Sequence, residues 1–290
     1  MNSLKDFNLS AIAGATNCNP ELYDDVVGFI NANKEDCELN AEAEGFLNAV
    51  KDALEEDSDV EVDFEDRIID ELVGKEKCIN DKLNNTNNDF VKELFGKFEG
   101  DDSEFSIHLK SKDHVFYENA NGETIEVNGI TIYSSNSDVI EIEINSSAAN
   151  GHKVLEVVRT LLHEYIHADI LRKMRTAYPT STDEEFRDYF NSYENTIFEP
   201  SQDHQTMADL YLDSMVDALS SFHQENMPGD YNYISNGGQY NLHDFYEALA
   251  WRGLSNQNVD AWVDLPQERK DELDQALNQF YHATTFNCSN

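Results

Sequence analysis

His163, Glu164 and His167, within Leu162-His-Glu-Tyr-Ile-His167, have the types and spacing that chemistry can use. Residues four apart share one face of a helix, so the two imidazoles can aim at one point. Imidazole suits Zn²⁺, which in catalytic sites keeps one of its four positions for water. Such an ion lowers the pKa of water toward neutrality, and the carboxylate of Glu164 can take the proton as attack on a carbonyl begins. A core helix with two locally hydrogen-bonded histidines is the plainer alternative. Burying two imidazoles and a carboxylate among so many apolar neighbours is costly without a ligand, and this favours the metal.

A catalytic zinc needs a third protein ligand. His204 heads the inward stripe Met207, Ala208, Tyr211, Met215, Leu219 and Phe222 of a helix expected from about Asp203 to His223, and is the leading candidate. Glu194 and Glu199 are its competitors, and a histidine merely packed on Met207 is the simpler reading. The tighter H-E-x-x-H-x-x-G-x-x-H arrangement is absent, because Ile170 and Lys173 occupy its Gly and third His positions. Tyr231, Tyr233, Tyr240 and His243, in a Gly-, Asn- and Tyr-rich loop from Asn226 to Asn241 and just past it, are candidates to polarise the carbonyl, with structural roles as their plainer reading. That loop could also serve as a lid.

These groups need elements to position them. Neither Pro nor Gly interrupts Lys153 to Ala177, which reads as a long, largely buried helix. Ahead of it the apolar period drops to two. Phe105, Ile107 and Leu109 alternate; Thr124–Val127 and Ile130–Tyr133 flank Asn128-Gly129, a hairpin signal; Val139–Ile144 supplies a last strand. The expectation is an antiparallel sheet leading into the motif helix, with Ile140, Ile142 and Ile144 on an edge strand able to dock an extended substrate. Upstream, Asn19-Pro20 opens a helix through Leu22, Val26, Val27 and Ile30, and Phe46, Leu47, Val50 and Leu54 mark a second. Glu55 to Asp63 reads as a charged linker, Ile68 to Leu83 as a helix broken near Gly74, and Phe90 to Phe98 as another helix. Downstream, Thr182-Asp-Glu-Glu185 is a capping box, Leu242 to Arg252 a helix stopped by Gly253, and Pro266 starts the last helix.

The chain has 290 residues, 58 acids against 20 Lys and Arg, and a net charge of −38, which repels nucleic acid and anionic membranes. No apolar run approaches a membrane span, and the first twenty residues do not read as a signal peptide. Cys18, Cys37, Cys78 and Cys288 form no C-x-x-C pair; a Cys18–Cys37 disulfide is left open.

Four segments together resemble zincin metallopeptidases of the SprT-like type, close to uncharacterised predicted peptidases of Bacteroidetes: Val139–Ile144, Thr160–Ala168, Asp203–Tyr211 and Tyr246–Leu254. Ile68–Cys78 also looks like the helix that opens those domains. The resemblance covers roughly residues 62–290, leaving 1–61 as an acidic helical lead-in or linker. It implies an α+β, zincin-like fold with a mainly helical C-terminal half. It further implies Zn²⁺ on His163, His167 and His204, Glu164 as base, and hydrolysis of a protein or peptide substrate. Some members of the group look like terminal modules of exported, toxin-like proteins, which would imply an inhibitory or immunity partner. The acidic composition departs from relatives that work on DNA-bound proteins. The rival reading is a non-catalytic zinc-binding protein whose acidic surface recruits a basic partner.

Overall fold

A computed structural model describes residues 20–35, 38–99, 105–119, 122–133, 138–177, 200–236, 241–255 and 259–280. The first helix, α1 (Pro20–Ala32), carries proline in its opening turn and buries Leu22, Val26, Phe29 and Ile30. The antiparallel pair β1 (Lys34–Glu35) and β2 (Glu38–Leu39) leads to α2 (Ala41–Glu56). Its cap is Asn40, whose side chain accepts from the Ala43 amide at 2.7 Å.

Two expectations fail in the next stretch. Residues 61–63 are not linker but strand β3 (Glu61–Asp63), antiparallel to β4 (Ile68–Glu71), so the helix expected from Ile68 is a strand there. The reason is turn chemistry: Asp63 Oδ1 accepts from the Glu65 and Asp66 amides at 2.9 Å, and Arg67 takes φ 55°. Two adjacent isoleucines are too short a run to reveal their period. The helix the resemblance places at Ile68–Cys78 begins only at α3 (Gly74–Asn84), followed by α4 (Asp89–Phe95).

Those two helices form the connection to β5 (Ser106–Lys112), which is therefore free to run parallel to β4, with Ile68 opposite Ile107 and Glu71 opposite Lys110. The sheet is mixed rather than antiparallel. Next come β6 (Val115–Glu118) and β7 (Thr124–Val127), an antiparallel hairpin whose turn uses Gly122 at φ 77°. Then follow β8 (Gly129–Tyr133) and β9 (Val139–Asn145). Asn128-Gly129 is consequently not a hairpin turn, because its two flanks belong to different sheets. The larger sheet has the order β3-β4-β5-β9-β8. β9 is thus interior and Ile140, Ile142 and Ile144 are buried; the outermost strand on that side is β8, not the strand expected.

The elements described after β9 are all helices: α5 (Ser146–Gly151), α6 (Val154–Ala177), α7 (Pro200–Asn226), α8 (Pro228–Asn236), α9 (Leu242–Trp251), α10 (Asp260–Val263) and α11 (Gln267–Phe280). A helix, α8, stands where a loop is expected, with Pro228 pre-set for its first turn and Ile234 buried. The chain divides into two compact units: Met1–Leu72, Gly96–Ser111 and Thr131–Glu143 form one, and Val73–Phe95, Lys112–Ile130 and Ile144–Asn290 the other. This differs from a cut at 61/62. Leu22, Val26, Phe29, Phe46, Leu47 and Val50 share one core with Ile69, so α1 and α2 are integral to the first unit.

In the second unit α6 is buried from Val154 to Leu171 on every side. It packs on α3, α4, α7 and α9. Asn145, fully buried, caps α5 through the Ala148 amide and binds Glu126 and the Val127 carbonyl, tying the hairpin to the approach to α6. Cys78 is in a disulfide; Cys18, Cys37 and Cys288 lie outside the described residues, as do the capping box at 182–185, Glu194, Glu199 and Tyr240. No described helix is long and apolar enough to cross a membrane.

Candidate metal centre

Three imidazoles meet between α6 and α7. His163 and His167 project from one face of α6, and His204 comes from the N-terminal part of α7. Nε2 of His163 lies 3.1 Å from Nε2 of His204 and 3.1 Å from Nε2 of His167. The rings are 4.7, 5.1 and 4.9 Å apart between centroids. All three are buried, at 6, 6 and 7 % exposure. The facing inferred for His204 from its Met207–Phe222 stripe is the one observed: Met207, Met215, Leu219 and Phe222 are fully buried along the same helix.

The donor set fits a metal. A ring nitrogen carries either one N–H or one in-plane lone pair, so Nε2 of His163 cannot hydrogen-bond well to both neighbours at once. Protonation does not resolve the crowding. Burial pushes His163 and His167 well below the ordinary imidazole value, and the neighbouring imidazoles add to the effect. Neutral imidazoles with converging lone pairs call for a cation. Tetrahedral Zn²⁺ with Zn–N of about 2.0–2.1 Å sets its nitrogens roughly 3.3 Å apart, close to the spacing seen. His163, His167 and His204 form the one buried cluster of potential metal ligands among the described residues.

Two glycines shape the surroundings, and the sequence gives neither its true role. Gly129 opens β8, where a Cβ would stand 3.0 Å from Cγ and 3.1 Å from Oε1 of Glu164. Its lack of a side chain is what lets Glu164, 5 % exposed, lie against the strand. Gly253, at φ 94°, follows α9; a Cβ there would meet Nη1 of Arg159 at 3.1 Å and Cε1 of His163 at 3.6 Å. Gly253 therefore does more than stop a helix: it brings main chain up to the back of the His163 ring. Nδ1 of that ring has no hydrogen-bond partner among the described residues.

Among the described residues, Tyr231, Tyr233 and His243, expected to polarise the carbonyl, have partners or surroundings of their own. The Tyr231 ring packs on His223 at 5.6 Å. From His204 to His223 the helix climbs roughly 28 Å, which removes Tyr231 from the site. Tyr233 is 77 % exposed, and the exposed His243 lies 3.8 Å from Glu247 on its own helix. Residues the sequence reading passed over are Asp169 and Tyr211, joined by a 2.9 Å hydrogen bond between α6 and α7. The advance signals were the four-residue spacing of Asp169 and Lys173 on a helix and the place of Tyr211 on the inward stripe of α7.

No protein-family model matches the chain, and neither do curated proteins or solved structures.

Proposed function

We propose that the protein is a zinc-dependent peptidase of zincin type. The observation that carries this reading is the convergence of His163, His167 and His204 within 4.8 Å, with Glu164 adjoining His163 on the same helix. The SprT-like resemblance of the segments holding these residues supports it. A zinc ion held there supplies Lewis acidity, polarising a carbonyl and acidifying water.

The chain's own residues do the rest. Glu164, set against Gly129, accepts the proton from water as it adds to the scissile carbonyl, and the same carboxyl hands that proton to the departing amine nitrogen. Neutral His163 and His167 keep their lone pairs for ligation because burial opposes their protonation. β8, the edge strand whose first residue Gly129 meets Glu164, is the one on which an extended peptide would pair its main chain.

The test is turnover and metal content in parallel. Glu164→Gln is expected to keep one zinc per chain and lose peptide hydrolysis by at least about a hundredfold, the usual scale for a general base. His163→Ala and His204→Ala are expected to lose zinc. Hydrolysis by Glu164→Gln at the wild-type rate would end the mechanism.

A second reading has its own observation: imidazoles only 6 to 7 % exposed suit a zinc that holds α6 to α7 without turnover. It predicts zinc in the wild type, no cleavage of any peptide library, and a large loss of thermal stability on chelation.

A further inference from the structure

Besides the three histidines, a polar network around the Tyr211 hydroxyl joins α6 to α7 among the described residues. Asp169, 2 % exposed, lies on α6 just past His167; Tyr211, 6 % exposed, lies on α7 about two turns past His204. The Tyr211 hydroxyl donates to Asp169 Oδ2 at 2.9 Å and accepts from Lys173 Nζ at 2.6 Å. Asp169 also takes Arg172 Nη2 at 2.8 Å and Lys173 Nζ at 2.8 Å.

We propose that Asp169 and Tyr211 are positioning residues that set the register of α7 on α6 and so deliver His204 to the metal; the proposal rests on the metal-centre reading above. His163 and His167 come from one helix, so their relation is fixed by its geometry. His204 alone depends on how two helices are set against each other. Apolar packing, such as that of the fully buried Met207 and Met215 of α7, is adaptable and non-directional. A ligand must be held within about 0.5 Å of its place, which directional, charge-assisted hydrogen bonds can do. Stability alone does not account for the network, because a buried carboxylate with its cations is no more stabilising than well-packed apolar residues of similar volume.

The experiment measures zinc affinity by competition with a chromophoric chelator, and the visible spectrum of the cobalt-substituted protein, on the full chain. The variants are Tyr211→Phe, Asp169→Asn, their double, and Leu219→Ala, a fully buried α7 position further along. Tyr211→Phe and Asp169→Asn are each expected to weaken zinc about tenfold or more and to shift the cobalt bands. The double variant should lose less than the sum of the two single losses, since both weaken the shared Tyr211–Asp169 bond. Leu219→Ala should lower thermal stability and leave zinc affinity within about twofold of wild type. Should Tyr211→Phe fail to fold, Asp169→Asn decides by the same two readouts. Wild-type affinity and spectrum in the clamp variants would overturn the clamp and leave the metal centre standing. A wild type that takes up no zinc would overturn both.

Discussion

In the proposed peptidase Glu164 is the residue on which turnover depends, and its placement rests on an absence. Adding one methyl at Gly129 puts carbon 3.0 Å from its Cγ, tight enough that the carboxylate must give by a few tenths of an ångström. The metal ligands stand elsewhere on α6 and α7. Gly129→Ala should therefore keep its zinc and lose turnover by about tenfold, less than the roughly hundredfold that a displacement near 1 Å would cost. Kinetics beside metal analysis checks this; loss of zinc in step with activity would mean that Gly129 serves the fold rather than the base. The H-E-x-x-H spacing identified both ligands and the acid, because helical periodicity is a local property. The role of Gly129 was hidden, since Asn-Gly has a strong local meaning as a turn and the contact that overrides it comes from a helix far along the chain.

Among the elements, α7 does two jobs at its two ends: it presents His204 near its start and buries His223 near its end. His223 holds the Tyr246 hydroxyl at 2.8 Å from α9 and Asp230 at 3.1 Å from α8, with the Tyr231 ring alongside. Burial pushes its pKa below the ordinary 6.5, and the Asp230 carboxylate restores only part of the loss. In the unfolded chain the imidazole gains its proton near pH 6.5, whereas the folded one gains it only at lower pH. Between those values the unfolded state binds more protons, so stability declines as pH falls through that window. The thermal midpoint should drop between about pH 7 and pH 5.5, and His223→Gln should flatten that part of the slope. Parallel curves for the two proteins would show that His223 does not titrate on unfolding. The stripe from Met207 to Phe222 made α7 legible in advance. β4 was not, because Ile68-Ile69 fits helix and strand alike until a partner strand is present.

For the whole molecule the dominant quantity is charge. A net −38 makes the folded chain repel itself, and added salt screens that repulsion. The Debye length falls from about 10 Å at 0.1 M to about 3 Å at 1 M salt. The thermal midpoint is expected to rise by about 5 °C across that range, worth roughly 1–2 kcal/mol for a chain of this size. A flat or falling midpoint would show that local ion pairs, such as Arg269 with Asp244 and Glu247 at 2.7 and 2.6 Å, outweigh the field. The same field disfavours nucleic acid as a partner and favours cationic peptides as substrates of the proposed peptidase.

The sequence by itself determined the paired histidines that could hold a metal, the acid beside them, the third histidine's facing and the helical C-terminal half. All of these follow from residue types and periods within single helices. Tertiary structure decided what two segments must meet to define. It made the sheet mixed, because a connection containing two helices lets β5 run parallel to β4. It made β8 rather than β9 the outermost strand, because strand order is a matter of pairing and not of pattern. It also placed Gly129 against Glu164 and Tyr211 against Asp169, contacts between residues too distant in sequence for any local period to record.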